Sequence, residues 1–237
     1  MDIFKKLILL GRPASGKSEI INFLKNTNED IRTSKFHVGK IVEIDDFPML
    51  WTWFEEDDIL EKVFDKPRLH STSDGYFINE DMWHLLIERI CLNYQKSVRD
   101  SKEQHITRLI EFSRGTEHGG YKKAFSHLSK ELLENSVILY VNVPFEESLR
   151  KNRKRFNPDK PDSILEHGLP DSKLERLYKN VDWEEITKGT TDHLHINGIN
   201  VPYVVFENMP SKTDDFALLE PALLDVTNKL WDLYTKK

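Results

Sequence analysis

The sequence predicts an α/β fold, a sandwich in which a mainly parallel sheet is covered by helices on both faces. Three observations predict it. Strand and helix patterns alternate along the chain, as crossover connections between parallel strands require. The apolar runs Leu7 to Leu10 and Ser136 to Val143 read as buried strands. A chain of 237 residues suits one such domain with insertions, or one domain plus a lid.

The first strand, Leu7-Ile8-Leu9-Leu10, leads through a glycine-bearing loop into a helix marked by Ile20, Ile21, Phe23 and Leu24. Lys5-Lys6 ahead of it faintly imitates a secretion signal, but the apolar part is too short and runs straight into the loop. Val38 to Ile44 is the second strand, ending in Asp45-Asp46. From Phe47 to Tyr76 the chain is aromatic and acidic without clear periodicity, an insertion of about residues 47–78. Asn79 to Val98 reads as a long helix through Met82, Leu85, Leu86, Ile90 and Leu92. Ile106 to Ile110 is the third strand, and Gly119-Gly120 opens a helix through Phe125, Leu128 and Leu132. Ser136 to Val143 is the fourth strand, closed by Pro144 and followed by a helix ending in the basic run Arg150 to Arg155. Asn157 to Pro170, rich in proline and charge, reads as a mobile loop within a lid of about residues 151–182. Asn197-Gly198 predicts a two-residue hairpin turn, and its second arm, Val201 to Phe206, is the last sheet strand. Asp214 to Tyr234 is an amphipathic closing helix. There is no internal repeat.

The loop itself, Gly11-Arg12-Pro13-Ala14-Ser15-Gly16-Lys17-Ser18, matches G-x-x-x-x-G-K-[ST] and sits between strand and helix, as its mechanism needs. Gly11 and Gly16 allow backbone angles and close approach that a Cβ forbids. Successive N–H groups then form an anion nest at the positive end of the helix. Lys17 adds a charge for the β- and γ-phosphates, and the Ser18 hydroxyl suits Mg²⁺. The pattern, extended by Glu19, predicts a nucleoside triphosphate site, read as ATP with Mg²⁺.

Composition narrows the function. Hydrophobic residues make up 38% and charged residues 31%, which fits a soluble globular protein. The formal net charge of −6 argues against a nucleic-acid-coating surface. No apolar run reaches the ~20 residues of a membrane span. The one cysteine, Cys91, has no partner for an internal disulfide and reads as core filler in a reducing compartment, so the expected location is cytoplasmic.

In open α/β sheets, ligands bind beyond the carboxyl ends of the strands. Asp45 and Asp46 follow strand two there, and Glu111, Ser113 and Arg114 follow strand three. Asp45 is the candidate carboxylate for an acceptor hydroxyl and a candidate metal ligand, with Asp46 and Glu43 in reserve. Glu111 is a candidate for Mg²⁺ through water, and Arg114 for holding the acceptor. Arg150 and Arg153 share a helix face, and with Arg155 they suit phosphate contacts or base stacking. Trp51, Trp53, Phe54 and Trp83 offer either a stacking surface or core for the insertion. His118 lies near the expected crevice. His193 and His195 alternate on a strand, and no histidine shows metal spacing. Asn228-Lys229 is followed by Leu230-Trp231, without the aspartate a guanine-specific GTPase needs.

With the loop, Asp45-Asp46, Glu111-Phe112-Ser113-Arg114 and the basic run before the lid, the chain resembles the P-loop kinases of small molecules, the nucleoside monophosphate kinase and deoxynucleoside kinase relatives. Pro144, Glu146-Glu147 and Leu149 resemble the approach to their lid, and Leu169 to Trp183 the helix closing it. Val205-Phe206-Glu207-Asn208 resembles their last strand and the loop beside the adenine, which makes Asn208 a nucleotide-binding candidate. Deoxynucleoside kinases carry Glu-Arg-Ser after strand three, where this chain has Glu111-Phe112-Ser113-Arg114. The resemblance implies a P-loop NTPase fold with a five-stranded sheet of order 2-3-1-4-5, ATP as phosphoryl donor, a small-molecule acceptor and a closing lid. It leaves the acceptor open between nucleoside, nucleotide and similar compounds. The alternative is a nucleotide-binding regulatory ATPase acting through a protein partner, suggested by the long segment Phe47 to Tyr76.

Overall fold

A computed structural model describes residues 3–155, 159 and 168–236. Six strands form one sheet: β1 (Lys6–Gly11), β2 (Lys40–Asp45), β3 (Ile106–Phe112), β4 (Ser136–Asn142), β5 (His193–Ile196) and β6 (Ile199–Glu207), in the order β2-β3-β1-β4-β6-β5. All neighbours are parallel except β5 and β6. The parallel part is the expected five-strand order, with β6 in fifth place. The sixth strand corrects the expected count, and its cause is the hairpin. Asn197 and Gly198 both take positive φ, at 49° and 85°, and fold the first arm back antiparallel onto β6.

Alternate residues of each central strand build two cores. Ile8, Leu10, Ile110, Phe112, Ile138 and Tyr140 face α4 (Asp81–Asp100), α5 (Gly120–Ser126), α6 (Lys130–Leu133) and α9 (Trp183–Ile186). Leu7, Leu9, Leu109, Val137, Leu139 and Val141 face α1 (Lys17–Asn26), α2 (Glu29–Phe36) and α10 (Phe216–Thr235). β1 and β4 are buried on both sides, which is why they read as continuous apolar runs. Two more helices, α7 (Phe145–Arg155) and α8 (Asp171–Tyr178), border the carboxyl edge of the sheet. Residues 156–158 and 160–167 of the expected lid lie outside the described residues.

The segment expected to lack periodicity contains a helix, α3 (Phe47–Phe64). Its pattern is hidden because its one buried residue is not apolar but Asp57. That carboxylate accepts bonds from the N–H groups of Leu69, His70 and Ser71 at 2.9, 2.9 and 2.6 Å, and from the Ser71 hydroxyl at 2.7 Å. It thereby ties the loop after α3 back onto the helix. Burial by itself would raise the Asp57 pKa, but these bonds together hold it well below the ordinary carboxylate range. α2 was also not expected from apolar spacing. It starts on the Asn28 side chain, which accepts from Asp30 N–H at 3.0 Å.

Asp57→Asn removes charge from four accepted bonds, and urea denaturation at neutral pH is expected to show a loss of about 1.5–3 kcal/mol. A folded pKa held low gives stability that is present above the unfolded value and lost as pH falls. The deficit therefore shrinks in acid, where the wild type loses the same carboxylate.

Candidate functional site

The loop between β1 and α1 is strained where the sequence places glycine. Gly11 has φ +152°, and a Cβ there would meet the Val141 carbonyl at 2.6 Å. Gly16 caps α1 at φ +113°, and a Cβ there would meet Asn208 Nδ2 and Thr213 Oγ1 at 2.7 Å. The loop is anchored from behind. The buried Tyr121 hydroxyl bonds both the N–H and the carbonyl of Gly11 at 3.1 Å. Asn208 donates to the Ser15 carbonyl at 2.8 Å, and Ser148 to the Pro13 carbonyl at 2.7 Å. Tyr121 is itself held by Asp182, whose carboxylate accepts from the N–H groups of Tyr121 and Lys122 at 2.8 and 2.9 Å.

Lys17 lies buried beneath this loop. Its Nζ donates to the carbonyls of Gly11 and Arg12 at 3.2 and 2.9 Å and to Ser113 Oγ at 2.9 Å, and it faces Glu111 at 3.7 Å. Burial pushes its pKa down, while Glu111 and Asp45 pull it up. The parallel register of β2 and β3 sets Asp45 opposite Glu111. Burial, then the neighbouring charges of Asp46 and Glu111, push the Asp45 carboxyl up to about 8. Burial likewise raises Glu111, against the pull of Lys17. Asp46 is the committed member of the pair, because its carboxylate meets Arg114 Nη1 at 2.7 Å. Arg114, 2% exposed, also donates to the Ser113 and Trp83 carbonyls at 2.7 and 3.1 Å. Asp45 accepts only from the Phe47 N–H, at 3.0 Å through Oδ1, so Oδ2 is left open among the described residues.

These groups share one cavity of about 1080 Å³ with Gly16, Ser18 and Glu19. Its far side is aromatic, made by Phe47, Trp51, Phe54, Tyr76, Phe77 and Trp83. His118 also lines it, stacked on Trp83 at 3.8 Å, with no hydrogen-bond partner on either ring nitrogen. Burial, and then the Arg114 charge, push its pKa down to about 3, so the ring is neutral.

Several expected site residues point elsewhere. Arg12 turns out of the loop and donates to the carbonyls of Val143, Tyr178 and Lys179 at 2.9, 3.2 and 3.1 Å. Asn208 stands behind the loop, away from the cavity. Arg150 pairs with Glu147 and Asp214, and Arg153 with Asp171, and neither lines the cavity. Those two do share a helix face, but the face toward the cavity carries Lys151, Asn152 and Arg155. The arginine spacing drew attention to the wrong stripe. The i, i+4 spacing of Lys151 and Arg155 is the signal that marks the right one. Lys151 is buried, donating to Thr213 Oγ1 at 2.6 Å and facing Asp214 at 3.2 Å. Trp53 stacks on His70 at 5.1 Å, inside the insertion. His193 meets Asp192 and His195 meets Asn200, both at 2.9 Å on the hairpin. Cys91 is buried. Among the described residues no three His, Cys, Asp or Glu side chains gather as a metal site, and no helix is long and apolar enough to cross a membrane.

The strand order, with a glycine-and-lysine loop joining the central strand to α1, decides the architecture. This is the P-loop NTPase fold. No protein-family model matches the chain, and no curated protein sequence matches it. Among solved structures it is similar to the protein APE1195, at 14% identity and TM-score 0.43, over 97% of this chain and 98% of that one. It is similar to TT1252 from Thermus thermophilus at 13% identity and TM-score 0.44, over 100% and 99%. It is similar to a shikimate kinase from Acinetobacter baumannii, solved with shikimate, at 13% identity and TM-score 0.44, over 99% and 96%. Likeness at this level carries no chemistry from those proteins to this one.

The charge crowding sets a pH test. Asp45 holds its proton more tightly folded than unfolded, where the ordinary value is 3.8. Its contribution is therefore fully present below that value and is lost as pH rises toward 8. Asp45→Asn is expected to leave the melting temperature nearly unchanged near pH 4 and to raise it at about pH 9, by about 2–4 °C for each kcal/mol recovered. Thermal denaturation across pH checks it, and an identical difference at both ends would refute the assignment.

Proposed function

We propose that this chain is a Mg²⁺-dependent phosphotransferase that moves the γ-phosphoryl group of ATP to a hydroxyl of a small-molecule acceptor. The observation that carries this reading is the meeting of Lys17, Asp45 and Glu111 at one end of the large cavity, under the Gly11–Ser18 loop. The residues fit a triphosphate. The two glycines let the loop pack tightly on Val141, Asn208 and Thr213, the buried Ser15 hydroxyl has no partner among the described residues, and Lys17 rests on loop carbonyls. Ser18 and Glu111 are the oxygen donors that would hold Mg²⁺, directly or through water, which leaves Asp45 for the acceptor. When bound, Mg²⁺ supplies charge neutralisation on the phosphates.

Lys17 holds the terminal phosphates and meets the charge that grows on them during transfer. Arg155 lines the same cavity, and its charge acts on Lys17 and Glu111. The acceptor oxygen forms a bond to the γ-phosphorus, and the bond from that phosphorus to the bridging oxygen of ADP breaks. The acceptor proton passes to Asp45 Oδ2. A carboxylate with a raised pKa is a better base for an alcohol than an ordinary one. Asp46, locked by Arg114, positions the turn that carries Asp45.

The same charges favour a hydroxyl over a phosphate as the accepting group. Asp45, Asp46 and Glu111 would repel a second phosphate, and Arg114 is already neutralised. The aromatic wall suits a planar or apolar acceptor body.

Labelled ATP offered to matched alcohols and their monophosphates tests the reading, with transfer expected to the alcohols. Slow hydrolysis that no acceptor changes would sink it and favour the partner-dependent ATPase. Asp45→Asn is expected to lower kcat by about 10²–10⁴-fold with little change in the KM for ATP. Lys17→Ala is expected to cost about 10²–10³-fold in a folded protein. Wild-type kcat/KM should rise with pH through a midpoint near 8 and level off above it as Asp45 loses its proton, and a flat profile would remove Asp45 as the base.

A further inference from the structure

At the amino ends of the strands, the opposite end of the sheet from the loop, lies a second cavity of about 570 Å³. Lys6 and Arg108 stand directly opposite each other there on β1 and β3. Like charges in that relation destabilise a sheet. Both cations lie over the Tyr94 ring, at 5.0 and 6.0 Å, and Lys6 is only 6% exposed. Lys5 adds a third cation on the rim.

Their compensation is incomplete. Lys6 donates to the Glu131 carbonyl at 2.7 Å and the Tyr94 hydroxyl at 3.3 Å. Arg108 donates from Nε and Nη2 to Ser97 at 2.9 and 3.0 Å, which leaves Nη1 to spare. No carboxylate lies within ion-pair distance of Lys5, Lys6 or Arg108 among the described residues. Glu103, the one acidic residue lining the cavity, is taken by Lys40 at 2.6 Å. Burial lowers the Lys6 pKa to about 8; the Glu131 and Glu134 charges oppose this, and those of Lys5 and Arg108 add to it. Trp231 and Tyr234 form the wall on the other side of the sheet end. On a chain of net charge −6, such a cationic pocket is a local reversal.

We propose that this cavity is a second ligand site, for a small molecule that carries a phosphate monoester on a planar body. Three cations around one hollow match a dianion better than a single carboxylate, and Arg108 Nη1 with the remaining Lys6 proton supplies directed bonds. The Trp231 ring, stacked on His37 at 4.1 Å and so held in place, borders the planar body. The concave shape and volume fit a small ligand, and the chain's net charge of −6 disfavours a nucleic acid. The proposal stands independently of the phosphotransferase reading.

Phenyl phosphate, titrated calorimetrically at matched ionic strength, is the test. Wild type and Lys17→Ala are expected to bind it equally, because the phosphate loop is not involved. Arg108→Gln and, on the exposed rim, Lys5→Gln are expected to weaken it about tenfold each, about 1.4 kcal/mol, with phosphotransfer unchanged. Inorganic phosphate should bind more weakly than phenyl phosphate, and equal affinity would overturn the role given to Trp231. Binding lost in Lys17→Ala but retained in Arg108→Gln would overturn the site, as would no binding to wild type.

Discussion

Backbone register is the constraint on which the site depends. The β2–β3 ladder sets Asp45 beside Glu111, and the β3–β1 ladder sets Phe112 beside Leu10, one residue before the loop begins. Carboxylates from two strands and a lysine from the following helix thus converge without any long flexible side chain reaching across. A slip of one residue would send Glu111 to the other face of the sheet and its neighbour inward. The two alternating cores prevent that slip, because each central strand buries large apolar residues on both sides.

The convergence comes with a cost in stability. Lys17 is buried, the Asp45 carboxyl is crowded by Asp46 and Glu111, and His118 has both ring nitrogens unbonded. Proteins tolerate such groups mainly where binding or reaction uses them. Here the surroundings supply the rigidity. Tyr121 grips Gly11, Asp182 grips Tyr121, and Arg114 grips Asp46 while its guanidinium lies 5.3 Å from the Trp83 ring.

Much of the architecture was readable from the residues alone, and the exceptions are physical. β1, the loop and β4 are legible because burial on both faces leaves an unbroken apolar run. The parallel strand order followed from the resemblance. The sixth strand, His193–Ile196, is legible as the first arm of the Asn197-Gly198 hairpin, and only the five-strand count implied by the resemblance leaves it out of the sheet. α3 escaped because an aspartate occupies its buried position, and no periodicity rule expects charge there. In the site, the ends of β2 and β3 were legible from topology. The cavity face of α7 was not, since helix phase separates Lys151, Asn152 and Arg155 from Arg150 and Arg153. Arg12 shows the complementary limit. Its place in the loop motif suggested a nucleotide contact, yet all three nitrogens of its guanidinium donate to carbonyls elsewhere.

That arginine couples two parts of the molecule. One end is fixed in the Gly11–Ser18 loop, and the other holds the carbonyls at the close of α8, the helix whose Lys173, Arg176, Leu177 and Tyr178 line the chamber. A guanidinium with three bonds is a stiff strut. The chamber wall and the glycine-bearing loop are therefore braced as a single frame, so that a shift of one pulls on its counterpart.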